Sequence, residues 1–488
     1  MSPLLVILTI AAYLLVLFGV SYLSGRNADN AGFFIGNRRT RWYMATLAMI
    51  GAAMSGVTFI SVPGSVAADG MTYMQMVVGF TLGQMIVAFL LVPLFYRHGV
   101  VSLYQYLDTR FGLTTHRTGA WCFLVAKIVA AALKLYVVCA VLQLLVFDGL
   151  NLPFVANALI AVACVWLYTH SGGVRTLIPT DTIQSVCLVG SVVATIYYLS
   201  KAMDIGSVGQ LCDVVAASPY SAMWEFGDAS SARYFWKMVA GGVLCLVAMT
   251  GLDQDMMQRN MSCRTVRDSQ INIVLTALCQ IGVILLLLVL GVLLYRYIDF
   301  AGMPMPVRGD DAFPLVAAHG SLPQIVGVVF VLGLISSTYS AAGSALTSLT
   351  TSFTLDIMPN AQQLDEERLS LIRRRIHLCM AIVVALLILL FNAFAQGSVI
   401  NLVFTIAGYT YGPILGMFTF GMLSSRSLRE RWVPMVAIIA PVASYLLQRV
   451  VAAQFDYHIG FELIGYNALI TIVGLLVASR KRGAEVAK

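Results

Sequence analysis

The chain has 488 residues, of which 59% are hydrophobic and 11% charged, against roughly 45–50% and about 25% in an average globular domain. A water-soluble protein cannot hide that much apolar surface, so a string of soluble domains is excluded and lipid is the remaining solvent. The net charge of +7 comes from arginines placed between apolar runs, so no nucleic-acid partner is expected from it.

A spanning helix uses about 20 apolar residues, and thirteen runs of that order follow one another along the chain. The first, 3–23, has neither a basic leader nor a small-residue cleavage pattern and is expected to be a retained leading helix. Ten more, core helices 1 to 10, are expected near 42–68, 75–96, 118–147, 152–169, 177–200, 236–257, 271–295, 322–354, 376–395 and 398–424, and helices 11 and 12 near 432–450 and 462–479. The segment LDEERLSLIRRR before core helix 9 has acids at its start and arginines at its end, which suits a separate amphipathic helix on the cytoplasmic side. With the N-terminus outside and the C-terminus inside, the cytoplasmic segments hold 22 of the 30 basic residues, as the positive-inside rule requires. The expectation is a multi-pass protein of the cell (inner or plasma) membrane. No GxxxxGK[ST] phosphate loop occurs, so any transport must draw on an ion gradient. The nine cysteines lie mostly in apolar runs without a CxxC pair and read as packing residues.

Core helix 1 reads MATLAMIGAAMSGVTFISVPGSVAADG. Its small residues, Gly51, Ser55, Gly56 and Thr58 before Pro63, suit close helix packing or a broken helix whose free carbonyls face a cavity. Core helix 8, VVFVLGLISSTYSAAGSALTSLTTSFTLD, carries nine Ser or Thr between 336 and 351. Single hydroxyls in a helix usually bond back to their own backbone, but at this density Ser336, Ser337 and Ser340 form a cluster of hard oxygen ligands suited to sodium. Three acids sit at helix ends: Asp181 in GGVRTLIPTDTIQ, and Asp253 and Asp255 in GLDQDMMQRNMSCR. Acids at membrane depth are expensive and usually face an aqueous path; Asp181 is read as functional, whereas Asp253 and Asp255 are equally well placed at a wet cytoplasmic mouth opposite Arg259. Lys127 and Lys134 are seven apart on core helix 3 and share a face, where they snorkel, pair with an acid as a structural bridge, or line the cavity.

GGVRTLIPTDTIQ, GLDQDMMQRNMSCRTVRDSQ, LGLISSTYSAAGSALTSLTTSFTLDI and AGYTYGPILG, in this order and spacing, resemble the sodium/solute symporter family over nearly the whole chain. The resemblance implies an all-α polytopic membrane protein with the leucine-transporter fold, two inverted five-helix repeats and about 13 transmembrane helices. Its divisions would be a leading helix and cytoplasmic loop over 1–40, the first repeat over 41–201, an external loop over 202–234, the second repeat over 235–424 and two accessory helices over 425–488. Matched motif to motif, it implies a sodium site from Gly51, Met54, Gly333, Ser336 and Ser337. A second sodium site of some members matches Asp181 and Ser340, with Tyr339 where those members carry Ser or Thr. Near the expected solute site stand Ser55, Thr58 and Asp253, with Tyr73 and Gln75 as further candidates. The family's sialic-acid arginine falls at Ala130, and its galactose amide and acid at Thr58 and Val77, so neither specificity carries over.

The implied activity is secondary active symport of a small polar organic solute into the cell with Na+ by alternating access, a sugar or sugar acid first and a monocarboxylate or amino acid next. The partners are then the solute, sodium ions and the bilayer; the oligomeric state is left open. A receptor or sensor using the same fold with a separate signalling partner is the alternative. An enzyme is not expected, because no HExxH, paired-carboxylate or Ser/His constellation occurs within one helix-end region.

Overall fold

A computed structural model describes residues 3–480 apart from 27, 171, 319–321, 395–398, 456 and 458. The apolar runs fold as helices nearly where the sequence places them. Among the described residues, eight unbent apolar helices are long enough to cross a membrane: the leading helix Leu4–Gly25 and core helices 2 (Tyr73–His98), 3 (Leu113–Leu142), 5 (Val174–Ala202), 7 (Val266–Phe300), 8 (Gln324–Ile357) and 9 (Glu366–Ala393), with helix 11 (Glu430–Phe455). Core helix 4 (Phe154–Thr169) and helix 12 (Leu463–Ala478) are shorter, and core helix 10 spans Val399–Leu423. The protein is a multi-pass membrane protein. Burial separates centre from rim: the apolar window of core helix 8 is 78% buried and that of helix 11 only 17%, leaving Met435, Ile438, Ile439 and Val442 for lipid.

Two spans are broken. Core helix 1 consists of Trp42–Ala53 (1a) and Gly56–Asp69 (1b), bent by 60°, and core helix 6 of Phe235–Gly251 (6a) and Gln254–Asn260 (6b), bent by 69°. At the first break Met54 and Ser55 are extended. At the second, Asp253 is extended and caps 6b, its side chain accepting from the Asp255 and Met256 N–H groups, the arrangement an aspartate favours at a helix start. The sequence marks this second break only faintly, with Gly251 two positions before Asp253.

The packing carries the inverted repeat. Core helix 2 lies along 6a as core helix 7 lies along 1b, and core helix 5 runs against 8 as core helix 10 runs against 3. Glycine makes the first two crossings close. A Cβ on Gly79 would stand 2.2 Å from the Val239 carbonyl oxygen, and one on Gly291 would stand 2.5 Å from the Pro63 carbonyl oxygen, so neither position admits a side chain.

The expected separate amphipathic helix before core helix 9 is corrected. Glu366–Ala393 is one helix, because no Gly or Pro interrupts EERLSLIRRRIHLCMAIVVALLILLFNA. All nine cysteines are free thiols.

Candidate functional site

The helix 1 break faces core helix 8. A Cβ on Gly56 would meet Thr338 Oγ1 at 2.1 Å, one on Gly51 would meet Ser340 Oγ at 3.4 Å, and one on Gly333 would meet the Phe59 ring at 2.6 Å. Gly51, Met54, Gly333, Ser336 and Ser337 therefore belong to two elements in intimate contact. The Met54 N–H still bonds to the Ile50 carbonyl at 3.0 Å, but among the described residues no N–H four positions on returns to the carbonyls of Gly51 and Met54, which is what a broken helix end leaves behind. Ser336 Oγ donates to the Gly333 carbonyl and Ser337 Oγ to the Leu334 carbonyl, both at 3.0 Å. Each hydroxyl thus keeps its oxygen lone pairs, and both side chains are fully buried. Carbonyl and hydroxyl oxygens are hard, neutral ligands of the type that suits a sodium ion.

Asp181 sits differently. Its Oδ2 accepts from Arg259 Nε at 3.1 Å and Nη2 at 2.7 Å, and its Oδ1 accepts from Ser340 Oγ at 2.8 Å. Gln184, with its amide nitrogen toward the carboxylate, donates to the same Oδ1 at 2.8 Å. Tyr339 does not fill this space. Its phenol lies beside Cys164 of core helix 4, and its carbonyl accepts from the Tyr168 hydroxyl.

From Asp181 a chain of charges runs to the helix 6 break. Arg259 also binds the Asp255 carboxylate; Lys127 Nζ lies 2.7 Å from Asp255 Oδ2 and 3.0 Å from Asp253 Oδ2; and Tyr411 OH donates to Asp253 Oδ2 at 2.5 Å. Asp253 and Asp255 are 1% and 3% exposed, so the expectation of a wet cytoplasmic mouth is corrected. They are buried because each pairs with a cation, and a removed partner would leave an uncompensated charge.

The two breaks flank a cavity of about 130 Å3 lined by Met54, Ser55, Thr58, Tyr73, Asp253 and Tyr411, with Lys127, Lys134, Gln84 and Gln280 among its other walls. Four of the five expected solute-site residues are brought together here. Gln75 is not: its amide donates to the Arg233 carbonyl and accepts from the Glu225 N–H, both at 2.9 Å, and so anchors the loop before core helix 6. One pair of wall residues escaped the sequence reading, whereas Lys134 was expected there. Gln84 donates to Gln280 Oε1 at 2.9 Å while its own buried Oε1 has no donor among the described residues; an amide in the interior of each of two apolar runs was the available signal. Lys134, one face with Lys127, makes no hydrogen bond or ion pair among the described residues. Beyond the helix 6 break the connection between core helices 2 and 3 closes the arginine-rich side. There Tyr104 OH donates to the Leu252 carbonyl, and the Leu103 N–H to Gln254 Oε1, at 3.0 Å each.

The sodium:solute symporter family model matches residues 33–430. The chain belongs to the sodium:solute symporter family. Among curated members, the human sodium/iodide cotransporter is 26% identical over 412 residues, covering 81% of this chain and 61% of that protein. The sodium-coupled monocarboxylate transporter 2 of Danio rerio is 25% identical over 405 residues, covering 81% and 63%. This symporter-family chain therefore spans about three fifths of the length of those relatives. Among solved structures, a substrate-bound, outward-open Na+-coupled sialic acid symporter matches with a TM-score of 0.80 at 17% identity, covering 98% of this chain and 99% of that one. The fold is the leucine-transporter fold.

Proposed function

We propose that the protein is a secondary active transporter that carries a small organic anion across the membrane together with sodium, by alternating access. The observation that carries the reading is the cavity between two broken helices, which has Met54 of the neutral helix 1–helix 8 oxygen set in one wall and, in another, the Lys134 ammonium, unpaired among the described residues. An ammonium at the wall of a low-dielectric cavity favours an anionic ligand, and the unmatched Gln84 Oε1 accepts a hydrogen bond from a solute hydroxyl. A hydroxy-monocarboxylate or a sugar acid meets both; a simple monocarboxylate meets the charge alone, and a neutral sugar leaves Lys134 unmatched. The names of the three relatives, which specify iodide, a monocarboxylate and sialic acid, are consistent with an anion. A sodium ion at the helix 1–helix 8 oxygens would supply the charge that holds these two helices together. Lys127, Asp253 and Tyr411 hold the helix 6 break in register with the cavity. The arginine distribution favours the N-terminus outside and the C-terminus in the cytoplasm of the cell membrane.

The test is uptake into proteoliposomes with and without an inward sodium gradient, using radiolabelled lactate, pyruvate, gluconate and glucose. Gradient-driven accumulation of at least one of the three carboxylates, with glucose at background, is expected. Gradient-driven uptake of glucose alone would overturn the anion reading, and uptake of nothing in a folded preparation would favour a receptor.

A further inference from the structure

We propose that Arg259 is a built-in cation standing where a second sodium ion would bind at Asp181, so that the protein takes up one sodium ion, at the helix 1–helix 8 site, per solute anion. The inference rests on the sodium-coupled reading above and deepens it by fixing the ion count.

Its ground is the fit of each ligand set. The helix 1–helix 8 set has hydroxyls that donate backward and leave their oxygens open. The Asp181 set is already saturated. One carboxylate oxygen accepts two guanidinium N–H groups, and the other accepts a hydroxyl and an amide. The Ser340 hydroxyl, which a sodium ion would need as an oxygen ligand, donates to the acid, and its oxygen accepts from the Gln184 amide at 3.3 Å. Arg259 and Asp181 are 1% and 0% exposed, and arginine cannot release its proton to make room. A sodium ion at this carboxylate would stand beside a fixed positive charge in a dry site, where like charges repel strongly.

The surroundings give the same count by charge. The groups between the two breaks are Asp181, Asp253 and Asp255 against Lys127, Lys134 and Arg259, and they cancel. A neutral empty site stays neutral when one sodium ion and one monovalent anion enter together. A second sodium ion would leave a net positive charge buried, which is costly.

The test is direct counting of 22Na+ bound to the purified full-length protein in lipid nanodiscs, with choline in place of sodium as the blank. The dependence of thermal stability on sodium concentration is a second readout, since its limiting slope reports the number of ions bound on folding. The expected result is one ion per chain with hyperbolic saturation. Ser337→Ala should weaken binding at least tenfold, while Asp181→Asn keeps a count of one. Where Asp181→Asn does not fold, Ser340→Ala, which removes the hydroxyl and leaves the ion pair, should keep sodium affinity within about twofold. Two ions per chain, or a single ion lost with Asp181 or Ser340 but not with Ser337, would overturn the inference and leave sodium coupling standing. No sodium binding above the choline blank would overturn sodium coupling itself and this inference with it.

Discussion

The two broken helices are counterparts in the inverted repeat, yet they are built from opposite materials. The helix 1 break offers Gly51, Met54 and Ser55, with no formal charge, and faces the hydroxyls of core helix 8. The helix 6 break opens on Asp253 and is tied by Lys127, Asp255 and Arg259 into a buried chain of ion pairs. The contrast shows two ways of stabilising irregular backbone at membrane depth. Free carbonyls can be left for a mobile cation, or the exposed helix end can be capped and balanced by side-chain charges that never leave.

Four substitutions sharpen or break this contrast, taken from the largest effect down. Arg259→Ala removes the cation shared by Asp181 and Asp255. It should cost about 3–5 kcal/mol of stability, the usual consequence of stranding a buried charge. A melting profile in detergent matching the native protein would show that the helix 6 side does not depend on fixed charge. Ser337→Ala, on the neutral side, should leave folding intact and weaken sodium activation. Losing one oxygen contact to an ion costs about 1.5–3 kcal/mol, roughly ten- to a hundredfold in affinity. If neither Ser336→Ala nor Ser337→Ala moves the sodium activation curve, the ion is not held there. Lys134→Gln keeps a polar side chain in the cavity and removes the charge, so KM for a carboxylate solute should rise about tenfold, near 1.4 kcal/mol, with the sodium curve little changed. Equal KM values in native and variant protein would remove Lys134 from solute recognition. Gln75→Ala lies outside both breaks. It should lower stability by about 0.5–1.5 kcal/mol for each neutral hydrogen bond lost from the loop, and a changed KM would mean that the loop reaches the solute.

Most of the fold was legible because it is written in local terms. Apolar run length marks helices, and Gly51, Gly56 and Pro63 around Ser55 mark an interruption. The helix 6 break had a quieter signal, a glycine at 251 followed two positions later by an aspartate able to cap. The serine pairs on core helix 8 could be matched by their order along one helix. The partner of Asp181 could not, because Arg259 is 78 positions away and joins it only once core helices 5 and 6 pack. The same holds for Gln75, whose type suits a solute site and whose partners are loop backbone groups 150 and 158 positions on. Residue type survives in a sequence; the choice between two polar neighbours is made by tertiary packing.

The glycine crossings bear on how this molecule would be watched at work. Where Gly79 meets 6a and Gly291 meets 1b there is no side-chain layer to slide or re-pack, so each pair must travel as a welded unit. Spin labels placed on the outer faces of core helices 2 and 6a would then report one unvarying distance through every state of the cycle, an internal ruler. Labels spanning 1b and core helix 8 would carry the signal, and their distance distribution, read against that ruler, would separate a true rearrangement from breathing of the whole bundle.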